Sequence, residues 1–208
     1  MSTRATMTNE GRQALITYCR NSAATSQTNK FFIKSFKLFE NQSGNPSQTT
    51  TLATLNADLI LDATFDVASR TEETGNILRI DCVVTPSFST VASLVTAIGV
   101  VFEEENNDNI VAVTTGTKLF KVAGDSTAKY SAGSVLSIEG STGNDGEYTV
   151  SSSAYVSPNT EITVVETVPS AVADGAINKL YLFAYTIFDT GFNKIADTSL
   201  SFDFDIQF

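Results

Sequence analysis

Carboxylates are the residues this chain has in sufficient number to do chemistry, and three groupings of them stand out. Glu103, Glu104, Glu105 and Asp108 fall within the seven residues 103–109, and Asp58, Asp62 and Asp66 recur every four residues. Glu147 and Glu161 follow a glycine-rich run, Gly140-Ser141-Thr142-Gly143-Asn144-Asp145-Gly146. Paired carboxylates serve glycosidases as acid and base, clustered acids hold cations, and glycine-rich loops cradle phosphate on their N–H groups. Each grouping also has a plainer reading. Carboxylates four residues apart along a strand are separated by about 13 Å, too far to share one calcium ion. The 103–109 stretch reads as the solvated tip of a hairpin. No lysine-serine or lysine-threonine pair and no helix follows the glycine-rich run, whereas Asn144-Asp145-Gly146 is a strong signal for a tight turn. Nothing in the spacing of Glu103, Glu104, Glu147 and Glu161 selects two of them as a pair. The expectation is a protein that is not an enzyme, with no catalytic, cofactor-binding or metal-binding residue and no cofactor.

Composition narrows the choice further. Histidine is absent, which removes the commonest general base, metal ligand and physiological pH switch together. Cys19 and Cys82 are the two cysteines of the 208 residues. Without histidine they cannot build a standard zinc site. A disulfide between them is open, with two small buried thiols in a reducing cell as the better reading. The formal net charge is −10 and the thirteen basic residues are scattered, so the basic stripe that neutralises phosphates is missing and no nucleic-acid partner is expected. Charged residues make up 17% against roughly 25% in soluble domains. Thr, Ser, Asn and Ala fill the gap, as suits β-rich chains whose faces meet other protein. Residues 1–19 lack the apolar centre of a signal peptide, and no run approaches the roughly 20 apolar residues of a membrane span. No membrane partner is therefore expected, although SFDFDIQF at 201–208 resembles the last strand of an outer-membrane barrel.

The elements that would position these residues are mostly strands. Ile177 to Phe188, INKLYLFAYTIF, is apolar on both faces from Leu180 onward, which only a strand covered on both sides requires. Its aromatic and β-branched residues favour the extended form over a helix. Thr8 opens a capped helix through RQALITYCR, and 31–40, FFIKSFKLFE, reads as a second buried strand. Further strands are expected at 58–67, 77–85, 91–102 and 110–114. From Thr117 to Gly175 the rhythm changes to short strands at 119–122, 135–139, 148–152 and 161–166 separated by turn residues, the mark of a small all-β unit. The last strand, 200–208, places Leu200, Phe202, Phe204, Ile206 and Phe208 on one face. Five large apolar residues in strict alternation must meet a core or a partner; these five are the interface candidates.

The fold class expected is mainly β: an antiparallel β-sandwich-like domain with one N-terminal helix, plus an inserted small β-barrel module. Residues 1–116 and 176–208 would form the main discontinuous domain and 117–175 the guest, inserted at a hairpin where its ends lie close together.

The helix TNEGRQALITYC at 8–19, leading into FFIKSFKLFE, resembles the opening of tail-fibre and baseplate proteins of tailed bacteriophages. NILRIDCVVTP, VTAIGVVFE and IVAVTT follow in an order similar to that of the same particle-anchoring domains. Residues 120–177, with GDST, GSTGNDGEYTV and TEITV, resemble a small β-barrel module that recurs in phage virion proteins. The resemblance implies a structural component of the virion, assembled in the host cytoplasm and made of tail, baseplate, collar or fibre-adaptor type. It implies contacts with other tail or baseplate proteins and several symmetric copies, with no catalytic residue to carry over. A receptor- or carbohydrate-binding module of a tail fibre is the alternative, with Phe120, Tyr130, Tyr148 and Tyr155 as the aromatics a sugar ring would stack on.

Overall fold

The computed structural model describes residues 5–22, 30–64, 71–74, 77–84, 93–194 and 200–207. Strand makes up 55% of it and helix 12%, with two α-helices, which settles the class as mainly β and antiparallel. In chain order the elements are β1 (Thr6–Met7), α1 (Asn9–Ser22), β2 (Lys30–Phe39), α2 (Leu52–Asn56), β3 (Leu59–Thr64), β4 (Thr71–Thr74), β5 (Ile77–Val84) and β6 (Ser93–Thr114). They continue with β7 (Leu119–Ala123), β8 (Val135–Glu139), β9 (Gly146–Val156), β10 (Asn159–Val164), β11 (Ala176–Lys194) and β12 (Leu200–Gln207). The chain forms two compact units, one of Met1–Thr17, Phe32–Phe102 and Leu182–Phe208, the other of Tyr18–Phe31 and Glu103–Tyr181. The expected guest, 117–175, lies within the second.

In the first unit the strand order is β3–β2–β6–β11–β1, and a separate three-stranded sheet runs β12–β5–β4. Val95, Ala97, Ile98, Val100 and Val101 of β6 are buried, as are consecutive residues from Leu182 to Ile187 of β11. Burial of neighbouring residues means cover on both faces, the condition that a continuous apolar run anticipates. Phe36, Leu38, Val95, Ile98, Val100, Phe183 and Ala184 form the core, and the Phe102 and Phe183 rings stack at 4.0 Å. A buried side chain of this size contributes about 1.5–3 kcal/mol.

Thr8, Glu10 and Gly11 fix how α1 meets this sheet. The Thr8 hydroxyl oxygen accepts from the Gly11 N–H at 3.0 Å, an N-cap bond, and the hydroxyl donates to the Leu182 carbonyl. One Glu10 carboxylate oxygen accepts from the backbone N–H of Leu182 at 2.9 Å and of Leu52 at 3.1 Å, tying β11 to the start of α2. A Cβ on Gly11 would lie 2.1 Å from the Phe183 carbonyl oxygen, so glycine alone allows the helix so close to the strand.

The second unit is a small antiparallel barrel. Pairing runs β6–β7–β10–β9–β8–β11 and returns to β6, and the Ile110 N–H donates to the Gly175 carbonyl at 3.1 Å. Its interior holds Phe120, Val122, Tyr130, Leu136, Ile138, Tyr148, Ile162, Val168 and Ile177, with Phe120 and Tyr148 edge to face at 5.3 Å. Gly175, at φ 81°, sits where a Cβ would meet the Glu139 carbonyl oxygen at 2.8 Å.

One expectation is overturned here. Residues 103–109 are not a hairpin tip: β6 runs unbroken through them for 22 residues, and Glu103 and Glu104 are 0% and 3% exposed. The chain reverses instead at a 3-10 turn, Thr115–Thr117, with Lys118 in the left-handed region at φ 54°. Another element, α2, lies in a stretch to which the sequence reading assigned no element. Thr51 caps it by accepting from the Thr54 N–H, and Leu52 and Leu55 are buried.

Candidate functional site

The carboxylates that drew attention in the sequence fall into three environments in the second unit. Glu103 and Glu104 are neighbours on a strand, so their side chains leave on opposite faces and cannot act on one atom together. The Asn178 amide donates to Glu103 Oε1 at 2.5 Å, and the Tyr181 hydroxyl donates to Glu104 Oε2 at 2.7 Å. β11 thus supplies the donors that make burial of both acids tolerable, since a buried charge without hydrogen bonds costs several kcal/mol.

Four residues further along β6, Asp108 Oδ2 accepts from Lys129 Nζ at 2.8 Å and from the Tyr130 hydroxyl at 2.6 Å, and Lys179 Nζ donates to the Lys129 carbonyl at 2.8 Å. The two ammonium groups lie 5.4 and 5.0 Å from the Tyr130 and Tyr181 ring centroids respectively. Burial first, and then the negative charge of Asp108 and Glu104, push the Tyr130 hydroxyl far above the ordinary tyrosine value of 10.0. Tyr130 is therefore a fixed neutral donor. The arrangement of acid, ammonium and phenol binds the 126–134 loop to β6 and β11. Glu161, the remaining carboxylate of the candidate acid–base set with a described partner, is paired with Lys121 at 2.5 Å on the adjoining strand.

The glycine-rich loop is also spoken for. Asp145 Oδ1 accepts from the Ser141 N–H at 2.6 Å, and Asp174 accepts from the Thr142 N–H at 2.8 Å, from the Ser141 hydroxyl at 2.9 Å and from the Thr142 hydroxyl at 2.6 Å. The Gly143 N–H donates to the Ser141 carbonyl at 2.9 Å. The N–H groups of 141–143, which a phosphate cradle would use, are thus engaged by the chain's own acceptors. The hydrogen bonds from Thr142, then Ser141, hold the Asp174 carboxyl below the usual carboxylate range. Positive φ falls on Gly143 and Gly146, at 93° and 147°, rather than on Asn144 or Asp145. Asn144 is instead buried and accepts from the Ser170 N–H at 2.9 Å.

Among the aspartates at 58, 62 and 66, Asp58 accepts from the Gln42 amide at 2.8 Å and the Asn41 amide at 3.3 Å, and Asp66 lies outside the described residues. Cys19 falls on α1 and Cys82 on β5, opposite Phe202 in register. Among the described residues no group of three or more Cys, Asp or Glu side chains is placed to hold a metal ion, and no helix is long and apolar enough to cross a membrane.

Of the interface candidates, Leu200, Phe202, Phe204 and Ile206 take register positions opposite Val84, Cys82, Ile80 and Leu78 of β5; Phe208 lies outside the described residues. β12 ends its sheet: among the described residues it pairs with β5 on one side only.

No family model, no curated protein and no solved structure matches this chain.

What the sequence did not bring out is the set Glu104, Asp108, Lys129, Tyr130, Tyr181. A signal for part of it was present. Phe102 is followed by three glutamates with no glycine, proline or asparagine until Asn106, and glutamate has no turn preference to end a strand.

Proposed function

We propose that this chain is a structural component of a bacteriophage virion, of the tail, baseplate, collar or fibre-adaptor type, which acts through protein–protein interfaces and not by catalysis. The observation that carries this reading is β12, a strand of strictly alternating large apolar residues that closes one end of the β12–β5–β4 sheet. Exposed alone, such an edge invites aggregation, and within an assembly it is a contact. The segments that resemble phage anchoring proteins lend support from a second direction. Within Thr8-Asn9-Glu10-Gly11, the side chains of Thr8 and Glu10 and the bare Cα of Gly11 join α1, β11 and α2, a job that constrains residue type at those three positions.

Sedimentation velocity of the full chain, together with gene order around it, tests the proposal. Expected are an assembling species, with contacts burying on the order of 2,000 Å² or more in total, and sheath, tube and baseplate genes alongside. A monodisperse monomer that enters no particle or complex would count decisively against it.

The carbohydrate- or receptor-binding alternative keeps one foothold. Phe120, Tyr130 and Tyr148 are buried, but Tyr155 is 47% exposed beside Val156 on β9, a ring on which a sugar can stack. A glycan array that lights up with the natural chain and goes dark with Tyr155→Ala would move this reading to first place.

A further inference from the structure

β9 changes partner part-way along its length, and the change leaves an edge open. Residues 146–149 pair with β8, and on that side the ladder stops at Val150, which accepts from the Gly133 N–H and donates to the Ser134 carbonyl, both at 2.8 Å. From Ser152 to Val156 the strand pairs with β10 alone. The Gly124 N–H donates to the Pro158 carbonyl at 2.9 Å, so in the β7–β10 ladder Thr160 and Ile162 turn their backbone groups toward β7. Asn159, Glu161 and Thr163 then face β9, and their register partners Val156, Ala154 and Ser152 face β10. The N–H and C=O groups of Ser153 and Tyr155 are left pointing out of the sheet, and among the described residues none bonds to them. Neither charge nor proline guards this edge, since residues 148–157 contain neither, and Ser152, Ala154, Tyr155 and Val156 are exposed.

A second copy of the same strand fits the edge in geometry, size and charge. Antiparallel pairing about a two-fold axis at Ala154 sets Ser153 opposite Tyr155 of the second copy and Tyr155 opposite its Ser153, so the outward backbone groups of both residues are satisfied in both copies. The same axis places Ala154 against Ala154 and Val156 against Ser152. Each large side chain meets a small one, and no charge meets another. The net charge of −10 repels copies at a distance, but at physiological salt that repulsion fades over about 8 Å, and the contact itself is neutral. A foreign strand finds no free charge here to select it. Glu161, opposite Ala154 in register, is already paired with Lys121.

We propose that β9 pairs with β9 of a second copy of this chain through Ser153 and Tyr155, joining two barrels edge to edge in a symmetric dimer. One sheet then runs β6–β7–β10–β9 and continues through the second copy in reverse order. The contact deepens the structural role proposed above, and its place in a particle rests on that reading. So short an edge buries less than the roughly 1,200–2,000 Å² of a stable interface, so it is weak alone and gains strength where other contacts hold copies side by side.

Sedimentation equilibrium of the full-length chain up to about 1 mM, with amide hydrogen exchange at several concentrations, tests this. Expected is a reversible dimer in which the Ser153 and Tyr155 amides exchange more slowly as concentration rises. Ser153→Pro removes an outward N–H without touching the β10 ladder and should abolish the dimer. Ala154→Lys and Ala154→Glu each oppose like charges at the axis and should weaken the dimer up to about fivefold. An equimolar mixture of those two variants should pair at least as well as the natural chain, which keeps the test decisive if the proline variant fails to fold. A chain monomeric throughout, a folded Ser153→Pro chain that still dimerises, protection confined to residues outside 152–156, or a mixture that pairs no better than either charge variant alone overturns the proposal. So does protection of those amides only when a different protein is added, which would give the edge to that protein. The two readings fail separately. A chain that enters a multiprotein assembly unaffected by these substitutions keeps its structural role and loses this edge, whereas one that dimerises as described but enters no assembly keeps the edge and loses the role.

Discussion

Gly11 bears the tightest approach described in the chain, and its substitution separates two effects of opposite sign. Alanine in place of glycine favours a helix by about 1 kcal/mol. Against that, the added methyl carbon would sit 2.1 Å from the Phe183 carbonyl oxygen and 2.8 Å from its carbon, and a backbone obstacle cannot swing aside. Gly11→Ala is expected to destabilise by a net 2–4 kcal/mol or so, read as a shifted urea midpoint at unchanged slope; a neutral or stabilising result would show that α1 can lift off β11. Tyr130 offers a test by pH. Its folded value is raised above the unfolded value of about 10, so above pH 10 the unfolded chain binds fewer protons than the native one, and stability present in full below pH 10 drains away as pH rises. Tyr130→Phe should cost about 1–2 kcal/mol at neutral pH, through the lost bond to Asp108, and flatten that alkaline slope. A slope unchanged in the variant would assign the effect to another tyrosine.

β6 shows where an element escapes local reading. Glu104 is accommodated in the strand because the Tyr181 hydroxyl, 77 residues later, donates to it. Glu104→Gln keeps an acceptor and should be tolerated, while Glu104→Ala strands the buried hydroxyl at a cost of about 1–3 kcal/mol; equal stability of the two variants in urea would remove this hydrogen bond from the reasons β6 is continuous. Other elements were legible from the chain itself. The 177–188 run emerges as the first two-thirds of β11, and the short strands expected at 119–122 and 135–139 are β7 and β8 to within a residue, because turn residues flank them. Thr8 caps α1 as its neighbours suggested. The acidic strand segment and the Asp174 clamp on the 141–142 loop were not legible because each depends on a partner distant in sequence, Tyr181 lying 77 residues from Glu104 and Asp174 32 residues from Thr142; α2 has a local cap in Thr51 and a distant one in Glu10, 42 residues before the Leu52 N–H. Periodicity reports only what a residue's near neighbours require. The interface candidates were legible as a pattern, while their place at the end of a sheet came from pairing.

Over the whole chain, two units with separate cores should answer separately to core damage. Leu136→Ala removes packing from the barrel interior and Val100→Ala from the other core. In native-state hydrogen exchange each should lower protection mainly within its own unit, and a uniform loss from either variant would mean that the cores unfold as one. The bond from Thr8 to Leu182, which spans 174 positions, also sets a timetable for synthesis. When the ribosome has released α1, the strand it docks against does not yet exist, and the helix must wait through the making of everything between. Tyr181 and Leu182 are consecutive in β11, so the barrel receives its last strand and α1 its docking strand at nearly the same moment of synthesis. For as long as that interval lasts, the amphipathic helix is unclaimed and within reach of chaperones.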